Sequence, residues 1–261
     1  MTQYDVILPA GGRIYGDFAT EMGTAVKALV KFGDKTLLLH TIQQLRACPF
    51  VRRIVVIGPK QVEDHPAAMF ADARIPEGVS GPDNIRRGLH FLHRGAPGRL
   101  GKVLICASDL PFLTAENLTE FIDRCSPTKE IHIPICTKQS YDARFPGSQS
   151  TFVTLTDGVF TSGSVFLFDG DAFERNIEHI ERLFKARKSK LRMAMLIGPV
   201  FAYKLLTNRI SLEQVQGKVL EIVKCRGEAV QNTAPELSFD VDDLDDYNHA
   251  LEFVGSMPSW Q

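Results

Sequence analysis

The chain has 261 residues, of which 44% are hydrophobic and 23% are charged. This length and composition are those of an ordinary globular protein with a sizeable core, and they exclude a disordered or collagen-like chain. The 30 basic and 31 acidic residues give a net charge of -1, so the overall positive field of many nucleic-acid-binding proteins is absent. We therefore expect no nucleic-acid partner, and any phosphate chemistry must depend on local groups.

The cysteines and apolar runs indicate the class of protein. The five cysteines show no C-x-x-C spacing and lie mostly in or beside apolar segments, so they predict reduced, buried thiols. The N-terminal apolar run is too short for a signal peptide, and no stretch approaches the roughly 18 apolar residues that span a bilayer. We expect a cytoplasmic protein with no membrane partner and a single domain over residues 1–261. No pattern indicates an oligomeric state.

Strands alternate with helices in the first half of the chain. Short apolar runs that end in turn-forming or polar residues predict buried strands, at residues 4–10, 51–58 and 102–107. Apolar residues at helical spacing predict helices, at residues 36–47, at 84–92 and after Thr114, a suitable N-cap. The stretch 13–26 lacks periodicity and is predicted as a loop. This alternation is typical of a mostly parallel sheet covered on both faces.

The second half of the chain is different. Three β-rich segments with only loops between them predict antiparallel additions to the sheet, at residues 130–137, 150–158 and 162–170. Helices follow in the last third, at residues 171–187, 189–207 and 211–224. A final strand is predicted to carry Asp240 and Asp242 into a terminal helix. The predicted fold class is therefore α/β, with a mixed sheet.

The residues just beyond each predicted strand are the candidates for chemistry, because open α/β sheets bind ligands at the carboxyl ends of their strands. Gly11 and Gly12 follow the first strand and would let backbone N–H groups approach a phosphate closely. Arg13 and Lys27 could then neutralise a triphosphate. The alternative is a simple Gly-Gly turn beside solvated basic residues.

Asp109 and Asp242 are the candidate metal ligands. Asp109 follows an uninterrupted apolar strand, where an unpaired carboxylate would be costly. A divalent cation would remove that cost, and magnesium is typically bound by one or two carboxylates, phosphates and water. Asp240 is a second possibility on the same side of the predicted strand. Asp109 could instead form the turn before the next helix, and the acidic residues after Asp242 suit a helix N-terminus.

Five segments in succession resemble the MobA-like nucleotidyltransferases, which include molybdenum-cofactor guanylyltransferases and enzymes acting on sugar phosphates and polyol phosphates. The segments are ILPAGG (7–12), VKALVKFGDKTLLLHTIQQL (26–45), LICASDLPFLT (104–114), TSGSVFLF (161–168) and FDVDDLDDYNHAL (239–251). The resemblance implies a Rossmann-like, three-layer α/β/α nucleotidyltransferase fold. It also implies a glycine-rich loop that holds a nucleoside triphosphate, a lysine on its phosphates, and Mg²⁺ held by two acidic positions.

The resemblance assigns roles to individual residues. Lys27, Arg13 and Asp109 would be catalytic, and Asp109 and Asp242 would bind Mg²⁺. The nucleotide would contact the loop and three further positions, namely Pro9, Ala10, Gly11, Gly12, Arg13, Lys27, Asn84 and Ser108. Asn84 could instead cap the helix that follows it.

The chain departs from the family pattern in two places. The family's Arg-Met-Gly element is Glu21-Met22-Gly23 here, after several extra residues, and Ser164 replaces the second glycine of a pair in the middle strand. A separate feature is the basic cluster of residues 185–192, which could bind a phosphorylated acceptor. A solvated helix surface is the favoured interpretation of that cluster.

The predicted function is Mg²⁺-dependent transfer of a nucleotidyl group from a nucleoside triphosphate to a small, phosphorylated acceptor, with release of pyrophosphate. One alternative is a glycosyltransferase that uses a sugar nucleotide, but such enzymes usually carry Asp-x-Asp where this chain has Ser108-Asp109-Leu110. The other is a nucleotide-binding protein without turnover. The sequence does not identify the base or the acceptor.

Overall fold

The computed structural model describes residues 2–94, 101–187 and 189–255, together with Met257 and Trp260. Its strands are β1 (Tyr4–Pro9), β2 (Lys31–Phe32), β3 (Lys35–Thr36), β4 (Val51–Gly58), β5 (Ala73–Pro76), β6 (Lys102–Cys106), β7 (Ile131–Thr137), β8 (Val153–Leu155), β9 (Gly158–Ser162), β10 (Val165–Asp169) and β11 (Gly227–Val230). Its α-helices are α1 (Gly16–Met22), α2 (Leu37–Ala47), α3 (Lys60–Glu63), α4 (Gly81–Arg94), α5 (Ala115–Asp123), α6 (Lys138–Arg144), α7 (Gly170–Arg175), α8 (Ile177–Ala186), α9 (Lys190–Ile197), α10 (Pro199–Leu206), α11 (Leu212–Val223) and α12 (Leu244–Val254).

Nine of the described strands form one mixed sheet in the order β5-β4-β1-β6-β10-β7-β9-β8, with β11 also paired to β7. The first four strands of this order run parallel to one another. From β6 onward, β10, β7, β9 and β8 pair antiparallel, whereas β11 pairs with β7 in parallel. The predicted α/β class with a mixed sheet is confirmed. Strands β2 and β3 form a separate small hairpin.

Helices cover both faces of the sheet because successive residues of its inner strands point to opposite sides. On β1, Val6 and Leu8 pack into one core with apolar residues of α2 and α5. Ile7 points to the other face, where α4 and α7 contribute Leu89 and Phe173. All three β1 side chains are fully buried, so the sheet is the central layer of three.

A separate aromatic cluster holds the segment that leads into α12. Phe239 contacts the rings of Phe112 and Phe145 at centroid distances of 4.8 and 4.9 Å, and all three side chains are buried. Two residues later, the Val241 N–H donates to the carbonyl of Asp109 over 3.1 Å. These contacts fix residues 239–242 beside the carboxyl end of β6.

Several predicted elements are wrong in detail. Residues 239–242 form no strand, because a single hydrogen bond to Asp109 replaces the ladder that a strand would make. The predicted loop 13–26 contains the short helix α1. This helix buries only Phe18, so its sequence shows no helical pattern of apolar residues. The predicted helix 189–207 breaks at Gly198, whose φ of 87° and following proline end a helix.

A further predicted helix is divided in two, one predicted strand is the first part of a hairpin, and two short strands were not predicted. The predicted helix 171–187 is divided at Asn176 into α7 and α8. The predicted strand 150–158 is the start of the β8–β9 hairpin. The edge strands β5 and β11 were not predicted, since each has four residues and a weak pattern.

No helix among the described residues is long and apolar enough to span a membrane. The five cysteines, all within the described part of the chain, are unpaired, and four of them are buried.

Candidate active site

Three carboxylates converge at the carboxyl end of β6. Asp109, Asp240 and Asp242 each place one carboxylate oxygen within 4.8 Å of the others. The Lys27 ammonium lies among them, 3.5 Å from the carboxylate of Asp109 and in direct contact with that of Asp242. The side chains of Lys27 and Asp109 are 14% and 17% exposed, while that of Asp242 is 63% exposed. The cluster therefore extends from a buried strand end to solvent.

The glycine loop after β1 positions Lys27. The Lys27 N–H donates to the Gly12 carbonyl over 3.0 Å, and Arg13 and Val26 form a single antiparallel bridge. A Cβ on Gly12 would lie 3.2 Å from Cδ of Lys27, tighter than most such contacts. The bare backbone of Gly12 thus lets the lysine side chain cross the loop toward Asp109.

Capping fixes the direction of the acidic segment. Asp243 is the N-cap of α12, and it forms a capping box with Asp246, as predicted for the acidic residues after Asp242. The Asp242 N–H also donates to the Asp246 carboxylate over 3.0 Å. The backbone at residue 242 is thereby held where its side chain faces Lys27.

The cluster carries unbalanced negative charge. Burial, followed by repulsion from Asp109 and Asp242, raises the pKa of Asp240 to about 7. Burial likewise raises the pKa of Asp109, although attraction to Lys27 opposes that change. Burial disfavours the Lys27 ammonium, but the neighbouring carboxylates outweigh this effect and raise the lysine pKa.

These residues fit a divalent metal ion. Carboxylate oxygens are the hard ligands that magnesium and manganese take, and a cation would offset the repulsion among three crowded acids. Asp109 and Asp242 are the predicted ligands, and Asp240 supplies a third oxygen at the same place. In this arrangement the Lys27 ammonium occupies part of the space between the carboxylates, so it must shift when a divalent cation binds there.

Arg13 is the predicted phosphate ligand that does not join the cluster. Its guanidinium forms an ion pair with Glu77, which follows β5, and donates to the carbonyl of Gly11. A Cβ on Gly11 would collide with the Glu77 carboxylate. Glu77 therefore lies over the glycine loop, and the charge of Arg13 is partly neutralised.

Two further predicted nucleotide-binding residues support the loop. The Ser108 hydroxyl donates to the carbonyl of Pro9 over 3.0 Å and ties the ends of β1 and β6 together. Asn84 is buried in the first turns of α4, and its side-chain oxygen accepts from the Gly78 N–H over 2.6 Å. The alternative of Asn84 as the helix N-cap is wrong, because the Ser80 hydroxyl accepts from the N–H of Asp83 at the start of α4.

The basic cluster 185–192 divides between two environments. Lys185 forms an ion pair with Glu181 on the surface of α8. Arg187 instead borders a cavity that Asp240 and Asp242 also line. Lys188 lies outside the described residues. The favoured interpretation as a solvated surface thus holds for Lys185, whereas Arg187 is exposed and also lines the cavity.

The chain was compared with known proteins. The model of the MobA-like NTP transferase domain family matches residues 6–174, well over half of the chain. The chain belongs to this family. A search of curated proteins gave no match.

Solved structures give the same result for the fold. A hypothetical transferase from Thermus thermophilus is 26% identical, with a TM-score of 0.82 over 94% of this chain and 99% of that one. The 4-diphosphocytidyl-2C-methyl-D-erythritol synthase of Anaerococcus prevotii is 12% identical, with a TM-score of 0.57 over 97% and 96% of the two chains. Rv0371c of Mycobacterium tuberculosis, in a complex with manganese, is 20% identical, with a TM-score of 0.51 over 97% and 100%. The protein is thus a nucleotidyltransferase-family enzyme of this fold.

Sequence reasoning missed two features of this MobA-like site. Glu77 was overlooked because a lone acid after a short, unrecognised edge strand gives no signal by itself. The cavity beside Asp240 was also missed, because β7, β8, β9 and α11 form it only after folding. The alternation of Ile131, Ile133 and Ile135 was its one visible trace.

Proposed function

We propose that the protein transfers a nucleoside monophosphate group from a nucleoside triphosphate to a small phosphorylated acceptor, in a Mg²⁺-dependent reaction that releases pyrophosphate. The observation that carries this proposal is the meeting of Asp109, Asp240, Asp242 and Lys27 beside the glycine loop. A triphosphate with a bound cation would supply a positive ion for the three carboxylates and negative phosphates for the Lys27 ammonium.

Each group has a defined role in the proposal. Asp109 and Asp242 hold Mg²⁺, which when bound neutralises charge on the triphosphate. The backbone of Ala10, Gly11 and Gly12 holds the phosphates, and Ser108 keeps that loop against β6. Lys27 leaves its carboxylate partners and pairs with a phosphate oxygen, where its ammonium stabilises charge that develops during transfer.

Arg13 reaches the phosphates only after it separates from Glu77. Glu77 would then be free to accept hydrogen bonds from the nucleotide, because it lies directly over Gly11. Asn84 accepts from the Gly78 N–H through its side-chain oxygen, and its amide nitrogen lies 3.7 Å from where a Cβ on Gly11 would be, so that nitrogen can donate to the nucleotide.

The comparisons support the choice of reaction and of metal class. The Anaerococcus relative is named for a cytidylyl-transfer product, and the Mycobacterium structure contains manganese. For this chain the metal and the phosphorylated acceptor are part of the proposal, and the base is left to the assay below. The local chemistry of the three carboxylates is the independent argument for a hard divalent cation.

Product analysis tests this function. Each of the four nucleoside triphosphates, labelled at the α-phosphate, is incubated with the enzyme, Mg²⁺ and a panel of phosphorylated acceptors. We expect label on the acceptor and an equal amount of pyrophosphate. The Asp242→Asn variant should lose this activity, whereas Asp123→Asn, at an exposed end of α5, should keep it.

Two results would overturn the proposal. Label that appears only in free nucleotides would indicate hydrolysis rather than transfer. Release of a nucleoside diphosphate from sugar nucleotides, without activity on any triphosphate, would indicate glycosyl transfer.

A further inference from the structure

A cavity of about 580 Å³ adjoins the carboxylate cluster on the side away from the glycine loop. Asp240 and Asp242 line its edge, and β7, β9 and α11 form its walls. The glycine loop follows β1, whereas these walls lie beyond β6 and β10 in the sheet order. The volume is within the range of about 300–1,000 Å³ that small-molecule sites have. The cluster therefore lies between two separate binding regions.

Two apolar faces line this cavity. Ile131, Ile133 and Ile135 alternate along β7, so their side chains share one face of the strand. On α11, Val215 and Val219 are one turn apart and present an apolar stripe to the same space. An apolar surface left open to water costs free energy in proportion to its area. A ligand with an apolar body would cover this surface.

Several polar side chains of the cavity wall already have partners within the protein. Gln216 accepts from the N–H of Ala229 over 2.8 Å, and Glu228 accepts from the N–H of Ser126 over 2.9 Å. The hydroxyls of Ser150 and Thr161 are 3.3 Å apart and bond to each other. These four side chains therefore have fewer positions left for the hydroxyl groups of a sugar or polyol, whereas the two apolar faces need an apolar body to cover them.

One cation stands at the mouth of the cavity. Arg187 is an exposed residue whose guanidinium stacks on the Phe184 ring at 3.9 Å, and the Asp242 carboxylate is near enough to attract it. Among the described residues, no carboxylate lies within ion-pair distance of it. The fork of an arginine matches a phosphate group. The Phe184 ring is itself packed against Gly81, in the space where a side chain at that position would lie. It therefore gives the guanidinium a fixed surface on which to stack.

We infer that the acceptor is an amphiphile: a phosphate monoester of a hydrocarbon alcohol, with its hydrocarbon part in the cavity and its phosphate between Arg187 and the carboxylate cluster. The inference rests on the proposed function, and it names the substrate class of the acceptor side. A phosphate at that place lies beside the cluster that would hold the triphosphate.

The reaction balances without a further reactant. A phosphate oxygen of the acceptor attacks the α-phosphorus, and a new oxygen–phosphorus bond forms there. The bond from that phosphorus to the bridging oxygen of the β-phosphate breaks, and pyrophosphate leaves with the bonding electron pair. The product is a nucleoside diphosphate ester of the hydrocarbon alcohol. No proton transfer is required, because the attacking phosphate is ionised.

Calorimetry with alkyl phosphates tests the inference on the whole protein in Mg²⁺ buffer. Ethyl, butyl and hexyl phosphate form the series, and glycerol 3-phosphate is the polar probe. We expect affinity to rise about threefold to fourfold for each added methylene, as its burial predicts. Hexyl phosphate should therefore bind well over tenfold more tightly than glycerol 3-phosphate.

Two variants locate the site. Val219→Gln should weaken hexyl phosphate about tenfold and flatten the chain-length dependence, whereas Val200→Gln, at an exposed position on α10 outside the cavity, should not. Arg187→Gln should weaken hexyl phosphate and leave the binding of 1-hexanol unchanged.

The result that would overturn the inference is an affinity independent of chain length, or glycerol 3-phosphate that binds as tightly as hexyl phosphate. An unchanged chain-length dependence in Val219→Gln would also overturn it. Triphosphate binding is measured separately in the same buffer. Failure of that binding counts against the proposed function, and it leaves the alkyl phosphate result to be judged by itself.

Discussion

The two ends of the sheet use aspartate in opposite ways. At the amino end of β1, the buried Asp5 carboxylate accepts two hydrogen bonds from Arg52, at 2.8 and 2.7 Å, and two from Arg53, at 3.1 and 2.6 Å. At the carboxyl end, the carboxylates of Asp109, Asp240 and Asp242 share the ammonium of Lys27.

The difference separates structural from functional charge. Burial disfavours the Asp5 carboxylate, but its two arginines outweigh this and lower its pKa. The pKa values of Asp109 and Asp240 are raised, because burial and mutual repulsion exceed what one lysine can offset. A balanced buried charge contributes to stability, whereas an excess of like charge reduces stability and indicates a place for a ligand of opposite sign.

Asp109→Asn gives the largest expected effect. Loss of a proposed metal ligand should lower the rate of pyrophosphate release at least about a hundredfold, the scale seen when one group that stabilises developing charge is removed. The free energy of unfolding should stay the same or rise slightly, since repulsion within the cluster is relieved. Urea unfolding beside the activity assay checks both. A stable variant with full activity would contradict the metal assignment.

Lys27→Met should separate metal binding from nucleotide binding. Without its ammonium, the affinity for a nucleoside triphosphate should fall about tenfold or more, as for a lost hydrogen bond to a charged group. The affinity for Mn²⁺ alone should rise, because the lysine no longer competes for the carboxylates of Asp109 and Asp242. Calorimetry measures both, with Lys31→Met at an exposed position on β2 as the control. Parallel changes in the two affinities would contradict this role for Lys27.

Asp5→Asn should show the reverse pattern, with normal turnover and lower stability. We expect a loss of about 2 kcal/mol at pH 7, because the amide replaces a carboxylate in charge-assisted hydrogen bonds. The folded pKa of Asp5 is lowered, so its contribution is complete above the unfolded value of about 3.9 and disappears as pH falls through the folded value. Urea unfolding at pH 7 and below pH 4 should show this difference shrink, and a constant difference would count against it.

The sequence predicted the layers of the fold and part of the site. The alternation on β1 and the polar residues just beyond β1 and β6 are local patterns, and they placed Asp109 at the end of a buried strand. The meeting of Asp109 with Asp242 was predicted from a final strand that is absent and from the family resemblance, and the two carboxylates do meet. The pairing of Arg13 with Glu77 was not predictable, because it joins two loops that only the parallel sheet brings together. The absence of a strand at residues 239–242 was not predictable either, since an aromatic cluster rather than a ladder holds that segment in place.

The central claim is that the carboxylate cluster binds a divalent ion together with a nucleoside triphosphate. Calorimetric titration of each triphosphate, with Mg²⁺ and then with excess EDTA, tests it most directly. We predict tight binding of at least one triphosphate with Mg²⁺, a large loss of affinity with EDTA, and no such metal dependence in Asp109→Asn. Equal affinity with and without the metal in the unmodified protein would contradict the account.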